Sequence, residues 1–357
     1  FQAEDGIRDC LLSRGLGDVY KRQVYIGTPD HWHALMMINA AAAGKHIYVE
    51  KPIGNSIGEC EAMVDAQKRY GNIIQVGQWQ RSSTHFQDAM SFVHSGKLGP
   101  IRTVKVFCYQ GWMRPQPKVA NTPVPKGIDY DSWLGPAPKL PFNASRFHFH
   151  FRWFWDYAGG LMTDWGVHLL DVVLWGMNAT TPNRIVSSGG NFAYPNSAME
   201  TPDTQQAIFE FPDFTMIWEH ANGIGLGPYQ RSHGISFIGN NGTLIVDRGG
   251  WEVLSEIENE QGVKKSKVEP VERRSAKSGE TGLAQHTSNF VNAIRENEKL
   301  NCEINVGSLA AINAHMGNIA LKTKSSLVWN AESEYFGGND AANNLMAPEY
   351  RAPWNCL

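Results

Sequence analysis

From residue 24 onward the chain alternates short apolar runs with longer amphipathic ones. Residues 24–27 (VYIG) read as a strand. The Thr28-Pro29-Asp30 turn then sets Asp30 as an N-cap before helix formers at 31–43, closed by Gly44. Residues 46–49 (HIYV) predict a second strand, ending at Glu50-Lys51-Pro52. Ser56 with Glu59 three positions on is a capping box for a helix over 56–70. A third strand over 73–78 and a helix over 84–95 continue the series. Strands and helices in such short alternation predict a parallel sheet with right-handed crossovers.

Beyond Gly99-Pro100 the pattern changes. Residues 101–109 alternate like a half-exposed strand, and a proline-rich loop covers 113–142. Further strands are expected near 184–192, 205–211, 214–220, 234–239 and 243–247, with Gly239-Asn240-Asn241-Gly242 as a hairpin turn. Late helices over 282–297 and 306–323 complete a mostly antiparallel, α+β second domain. Residues 1–23 have neither the apolar strand nor the turn that opens an α/β domain, and no apolar core of a signal peptide. They resemble translated sequencing-adapter sequence and are expected to be a non-native leader. Gly15 and Gly17 do not form G-x-G-x-x-G, so the phosphate-binding turn of a nucleotide-binding domain is expected to be missing.

Composition narrows the classes. A length of 357 residues suits two cores. A net charge of -3 gives no bulk attraction to nucleic acid or anionic lipid, so neither partner is expected. No run approaches the roughly 20 apolar residues of a membrane span. Five scattered cysteines without a C-x-x-C pair argue against a zinc knuckle, a redox motif and a disulfide scaffold.

Ligands of open parallel sheets bind outside the carboxyl ends of the strands, where Thr28-Pro29-Asp30 and Glu50-Lys51-Pro52 fall. Glu50-Lys51 alone reads as a surface ion pair. At a strand end, with Pro52 fixing the chain's exit, Lys51 can instead hydrogen-bond a ribose or substrate hydroxyl and ease its deprotonation. The second constellation is AGGLMTDWGVHLLD, residues 158–171. A continuous helix would put Asp164, His168 and Asp171 on one face, with His168 as base and a carboxylate orienting it. The bland alternative is a capping aspartate and a packed histidine. A metal site recruiting His31, His33, His148 or His150 is the rival reading, and no metal is expected, because H-x-H pairs in extended chain point to opposite faces. Arg152, Trp153, Trp155 and Tyr157 are candidate substrate-pocket residues or core.

The series TPDHWH, AGKHIYVEKP, VGQWQR, SGKLGPI and GGLMTDWGVHLLD resembles the Gfo/Idh/MocA oxidoreductase family, in that order from residue 24 to the end. The resemblance implies a truncated Rossmann-type NAD(P)-binding domain (24–100). After it come a C-terminal domain with a large, mostly antiparallel open sheet (101–335) and a tail (336–357). It implies NAD or NADP as cofactor, with the preference unreadable. Thr28, Pro29, His33, Glu50, Lys51 and Pro52 would line the dinucleotide, and Lys51, Asp164 and His168 would be catalytic. Arg152, Trp155 and Tyr157 would join Asp164 and His168 around the substrate, a carbohydrate or polyol, while Asp171 would be structural. A homo-oligomer, dimer or tetramer, is implied. The segment KGIDYDSWLGPAP resembles a branch common in glycan-degrading bacteria, whose members are often exported, which leaves cytoplasm or periplasm open. Three functions compete: a sugar or polyol dehydrogenase, a glycosidase or lyase working through transient sugar oxidation, and a non-catalytic sugar-binding relative.

Overall fold

The computed structural model describes residues 22–277 and 281–355, so the expected leader lies almost wholly outside the described residues. The alternating pattern forms β1 (Gln23–Ile26), α1 (His33–Ala42), β2 (His46–Val49), α2 (Ile57–Tyr70), β3 (Ile74–Val76) and α3 (Thr84–His94). The three strands pair in parallel in the order β1-β2-β3. At α2 the capping box is half formed. The Ser56 side chain accepts from the Glu59 amide at 3.1 Å, but the Glu59 carboxylate turns instead to the Asn55 amide and the Tyr350 hydroxyl. Asp30 does not cap α1; it sits inside a 3-10 turn, Asp30–Trp32, that leads into the helix.

The second region contains β4 (Ile101–Gln110), α4 (Tyr130–Leu134), α5 (Gly160–Asp164), α6 (Gly166–Met177), β5 (Arg184–Gly190), β6 (Thr204–Glu210) and β7 (Thr215–Asn222). It continues with β8 (His233–Gly239), β9 (Gly242–Asp247), β10 (Gly250–Ser255), β11 (Ile257–Glu260), β12 (Val263–Ser266) and β13 (Val271–Ser275). It closes with α7 (Leu283–Glu296), α8 (Ile304–Thr323), β14 (Leu327–Asn330), β15 (Tyr335–Phe336) and α9 (Asp340–Asn343). Ten strands form one sheet, β13-β10-β9-β8-β4-β7-β6-β5-β14-β15, antiparallel apart from the β4–β7 pair. The Asn240-Asn241 turn joins β8 to β9 as a hairpin, as the sequence pattern predicts.

Two corrections bear on the site. The segment 160–177 is not one helix: it breaks at Trp165, so α5 ends on Asp164 and α6 starts afresh at Gly166. Asp164, His168 and Asp171 therefore do not share a face; Asp164 meets Lys51, whereas Asp171 pairs with Arg81 at 2.8 Å. Tyr157 and Trp153 are core residues, packed with Tyr130, Trp133, Phe142 and Phe147 in an aromatic cluster of their own.

Helix α8 organises the site from behind. Most of its residues are buried, so its polar side chains must find partners inside. His315 Nε2 bonds the Gly54 carbonyl at 3.0 Å and Asn318 donates to the Gly159 carbonyl at 2.9 Å. One helix thus holds both the loop that carries Lys51 and the start of the helix that carries Asp164. Its first turn lies so close to β3 that a Cβ on Gly307 would stand 2.7 Å from both Val76 methyl carbons. Gly307→Ala is expected to destabilise the fold by about 1–3 kcal/mol through overpacking, read as a lowered thermal midpoint.

Candidate active site

The carboxyl ends of the parallel strands deliver Thr28, Glu50-Lys51 and Gly77-Gln78 to one edge of the small sheet. From there Lys51 reaches across to the second region. Its Nζ donates to Asp164 Oδ1 at 2.7 Å and to the Asp164 carbonyl at 2.8 Å. Arg152 approaches the same carboxylate from the other side, Nε to Oδ2 at 3.2 Å. Burial acts to raise the Asp164 pKa, but Lys51 and Arg152 outweigh it and hold the carboxyl below its usual range. Nearby Asp30 responds in the opposite sense. Burial pushes its pKa up to about 8 against the pull of Lys51, with Asp164 adding repulsion.

His168, in the first turn of α6, is 6% exposed. Burial, followed by the charges of Lys51 and Arg248, lowers its pKa well below the usual histidine value, so it stands neutral. Its Nδ1 is buried without a partner, which leaves Nε2 as the nitrogen open to the site. Trp79 packs edge-on against it, ring centroids 6.1 Å apart.

The remaining expected positions divide. Thr28 Oγ1 is buried and unpartnered at the edge of the site. Glu50 accepts from the Tyr25 hydroxyl at 2.9 Å and lies against Gly77, where a Cβ would come within 2.7 Å of its carboxylate. His33 is not free to meet a ligand: Nδ1 stands 2.7 Å from the Pro52 carbonyl and Nε2 2.8 Å from the Thr28 carbonyl. It braces the two strand-end turns against each other. Trp155 also falls outside the Lys51–Asp164 group. It takes Lys322 Nζ at 4.0 Å from its ring and lines a separate cavity of about 420 Å³ with Asn55, Glu59 and Tyr350. Among the described residues no group of three or more His, Cys, Asp or Glu is arranged to hold a metal.

Residues the sequence did not single out complete the site. Arg248, in the turn between β9 and β10, lies 4.8 Å from the Trp79 ring and 4.3 Å from the Trp165 ring. His233 packs on Trp165 at 5.0 Å. Trp79 and Trp165 lie within motifs quoted above, but Arg248, in a strand-connecting turn, and His233, at the start of β8, carry no local sequence signal.

Comparison with known proteins identifies the family of the chain. Residues 17–78 match the oxidoreductase family's NAD-binding Rossmann fold, residues 82–191 its C-terminal alpha/beta domain, and residues 140–245 the GFO/IDH/MocA C-terminal domain. Scyllo-inositol 2-dehydrogenase (NAD(+)) of Bacillus subtilis is 38% identical over 93 residues, 26% of this chain and 26% of that protein. The 2,7-anhydro-N-acetylneuraminate hydratase of Mediterraneibacter gnavus is 24% identical over 202 residues, 55% of this chain and 44% of the relative. The chain thus spans less than half the length of either relative. A levoglucosan dehydrogenase solved with NADH and levoglucosan shares the fold at a TM-score of 0.61 and 18% identity, covering 86% of this chain and 80% of the other. Matching family domains through residue 245, together with the strand-end lysine and its partner aspartate, place the chain in the Gfo/Idh/MocA family of oxidoreductases.

Proposed function

We propose that the chain is an NAD(P)-dependent dehydrogenase that oxidises a secondary hydroxyl of a sugar or polyol. The observation that carries this reading is the Lys51–Asp164 contact. An ammonium has three hydrogens; two are committed to Asp164, and the third is free for a substrate oxygen. The strand ends also fit the nicotinamide-ribose end of a dinucleotide, because Thr28 Oγ1 and Gln78 Oε1 are buried there without partners. Thr28, Glu50 and Lys51 would hold it; no glycine-rich turn for its pyrophosphate occurs among the described residues. When bound, the nicotinamide supplies the hydride acceptor.

The chain's own residues manage the proton. Lys51 orients the hydroxyl and stabilises negative charge developing on its oxygen. His168 takes the proton at Nε2, which requires the imidazole to carry its own proton on the buried Nδ1. Asp164 fixes Lys51 in place, and Arg152 fixes Asp164. A base must be unprotonated, so activity rises with pH through the pKa of His168. Since that pKa is lowered, the acid limb of kcat/KM is expected well below pH 6.5. A limb at 6.5 or above would remove His168 from the role.

A second reading is favoured by the hydratase relative, whose match covers more of this chain than that of the inositol dehydrogenase. Here the same groups would serve a lyase or glycosidase that oxidises the sugar transiently. Net accumulation of reduced nicotinamide supports the dehydrogenase; turnover without it supports the lyase. On either reading residues 24–100 form the nucleotide-binding unit and 101–335 the substrate unit, and we propose assembly as a homo-oligomer. Among the described residues no helix is long and apolar enough to cross a membrane.

A further inference from the structure

Arg248 departs from the pattern of the other half-buried cations around the site. Lys51 and Arg152 share the Asp164 carboxylate, and Arg81 is held by Asp171. The half-buried Arg248 guanidinium packs over the Trp79 and Trp165 rings, its Cζ 4.8 and 4.3 Å from their centroids. Among the described residues it has no hydrogen-bond or ion-pair partner, and its Nε is fully buried and unpaired. Burial pulls its pKa down, the sign of a charge held without sufficient compensation. Ring faces attract a guanidinium but do not use its N–H groups, so the cation–π contacts leave those donors without a protein acceptor. A half-buried guanidinium whose N–H groups meet no protein acceptor is available to an anionic ligand.

The neighbours have the same defect and the same polarity. His233, on the same Trp165 ring, has Nδ1 at 3.0 Å from the Ser232 hydroxyl and Nε2 buried with no partner. If the Ser232 hydroxyl donates to Nδ1, the imidazole proton lies on Nε2, a second unused donor. Burial and the charge of Arg248 keep that ring neutral, with a pKa lowered to about 4. Around Asp164 three groups are cationic (Lys51, Arg152, Arg248) against the carboxylates of Asp164 and Glu50, and burial raises the Asp30 pKa to about 8, which favours its neutral form. The site therefore carries excess positive charge next to the groups that handle the reacting hydroxyl.

We infer that Arg248, with His233 Nε2 beside it, receives an anionic substituent of the substrate, so that the natural substrate is an acidic sugar, carrying a carboxylate or a sulfate, rather than a neutral one. A planar guanidinium packed against two indole rings is preorganised for the two oxygens of a carboxylate, and little side-chain freedom is lost on binding. The inference rests on the dehydrogenase reading for the position of the reacting carbon, but binding tests it without turnover.

The experiment is calorimetric titration of the full 357-residue chain, with NAD present, using matched pairs: glucose with glucuronate, galactose with galacturonate, mannose with mannuronate. Glucose 6-sulfate separates sulfate from carboxylate recognition. The expected result is at least one acid binding about tenfold or more tightly than its neutral partner, as charge-assisted hydrogen bonds require. Arg248→Gln should bring that acid down to the affinity of its neutral partner, while Arg248→Lys, which keeps the charge without the fork, should retain part of the preference. A neutral sugar binding as well as its acid in every pair, or a preference that survives Arg248→Gln in protein of unchanged thermal midpoint, overturns the inference. Acid binding without nicotinamide reduction would remove the dehydrogenase reading and leave the anion site. Reduction by neutral sugars alone would do the reverse.

Discussion

Lys51→Ala is expected to lower turnover by about a hundredfold or more while leaving the fold intact, the range of a positioned acid–base group. The size follows from what is lost. Lys51 is the contact that ties the end of β2 to Asp164, 113 residues further along, and its third hydrogen is free for a substrate oxygen. Removing it leaves Asp164 still paired with Arg152, so no carboxylate is stranded and the stability cost stays modest. Lys51→Arg keeps the charge but replaces a compact ammonium with a planar fork, and should recover little activity. Steady-state rates with a matched thermal midpoint check both. A Lys51→Ala enzyme within a few-fold of the parent would show that the Lys51–Asp164 contact is structural only.

Asp171→Ala should do the opposite: unfold the protein easily without touching the chemistry. Asp171 is 1% exposed; its two carboxylate oxygens share the single Arg81 Nε–H, at 2.8 and 2.9 Å, and Oδ1 accepts from an Arg81 Nη at 2.8 Å. This pair fastens α6 to the segment after β3. Deleting the acid leaves an arginine buried against Trp175 with no counter-charge, which costs about 3–5 kcal/mol. Denaturant titration reads that loss directly. At a temperature where the variant is still folded, its kcat should stay close to the parent value, because Asp171 touches neither Lys51 nor Asp164. A large fall in kcat with little loss of stability would return Asp171 to the catalytic group.

These two aspartates show what the sequence could and could not reveal. The position of Lys51 at a strand end was legible because a strand-helix alternation fixes where strands end. The Asn240-Asn241 hairpin and the Ser56 cap were legible for the same local reason. The roles of Asp164 and Asp171 were blurred because spacing at i, i+4 and i+7 assumes an unbroken helix, and the break at Trp165 turns Asp164 toward Lys51. Trp155 and Tyr157 read as substrate-pocket or core residues alike, since aromatic character alone does not distinguish a pocket from an aromatic core; Tyr157 is fully buried in one. His33 carries a motif position, yet its two nitrogens are occupied by backbone carbonyls. Arg248 was invisible because its neighbours come from three distant segments, and the outer strands β11 to β13 were missed because their residues are mostly exposed and lack apolar alternation.

The measurement that bears most directly on the account is the appearance of reduced nicotinamide when NAD or NADP is mixed with the chain and a panel of sugars, uronates, inositols and glycosides. It should be run on the chain as it stands and on one whose residues 1–23 are exchanged for a βαβ start with a glycine-rich turn. The account predicts stoichiometric reduction by a free sugar, sugar acid or polyol, lost in Lys51→Ala. Glycoside cleavage or elimination with no net reduction, or no reduction by either folded chain, would contradict it.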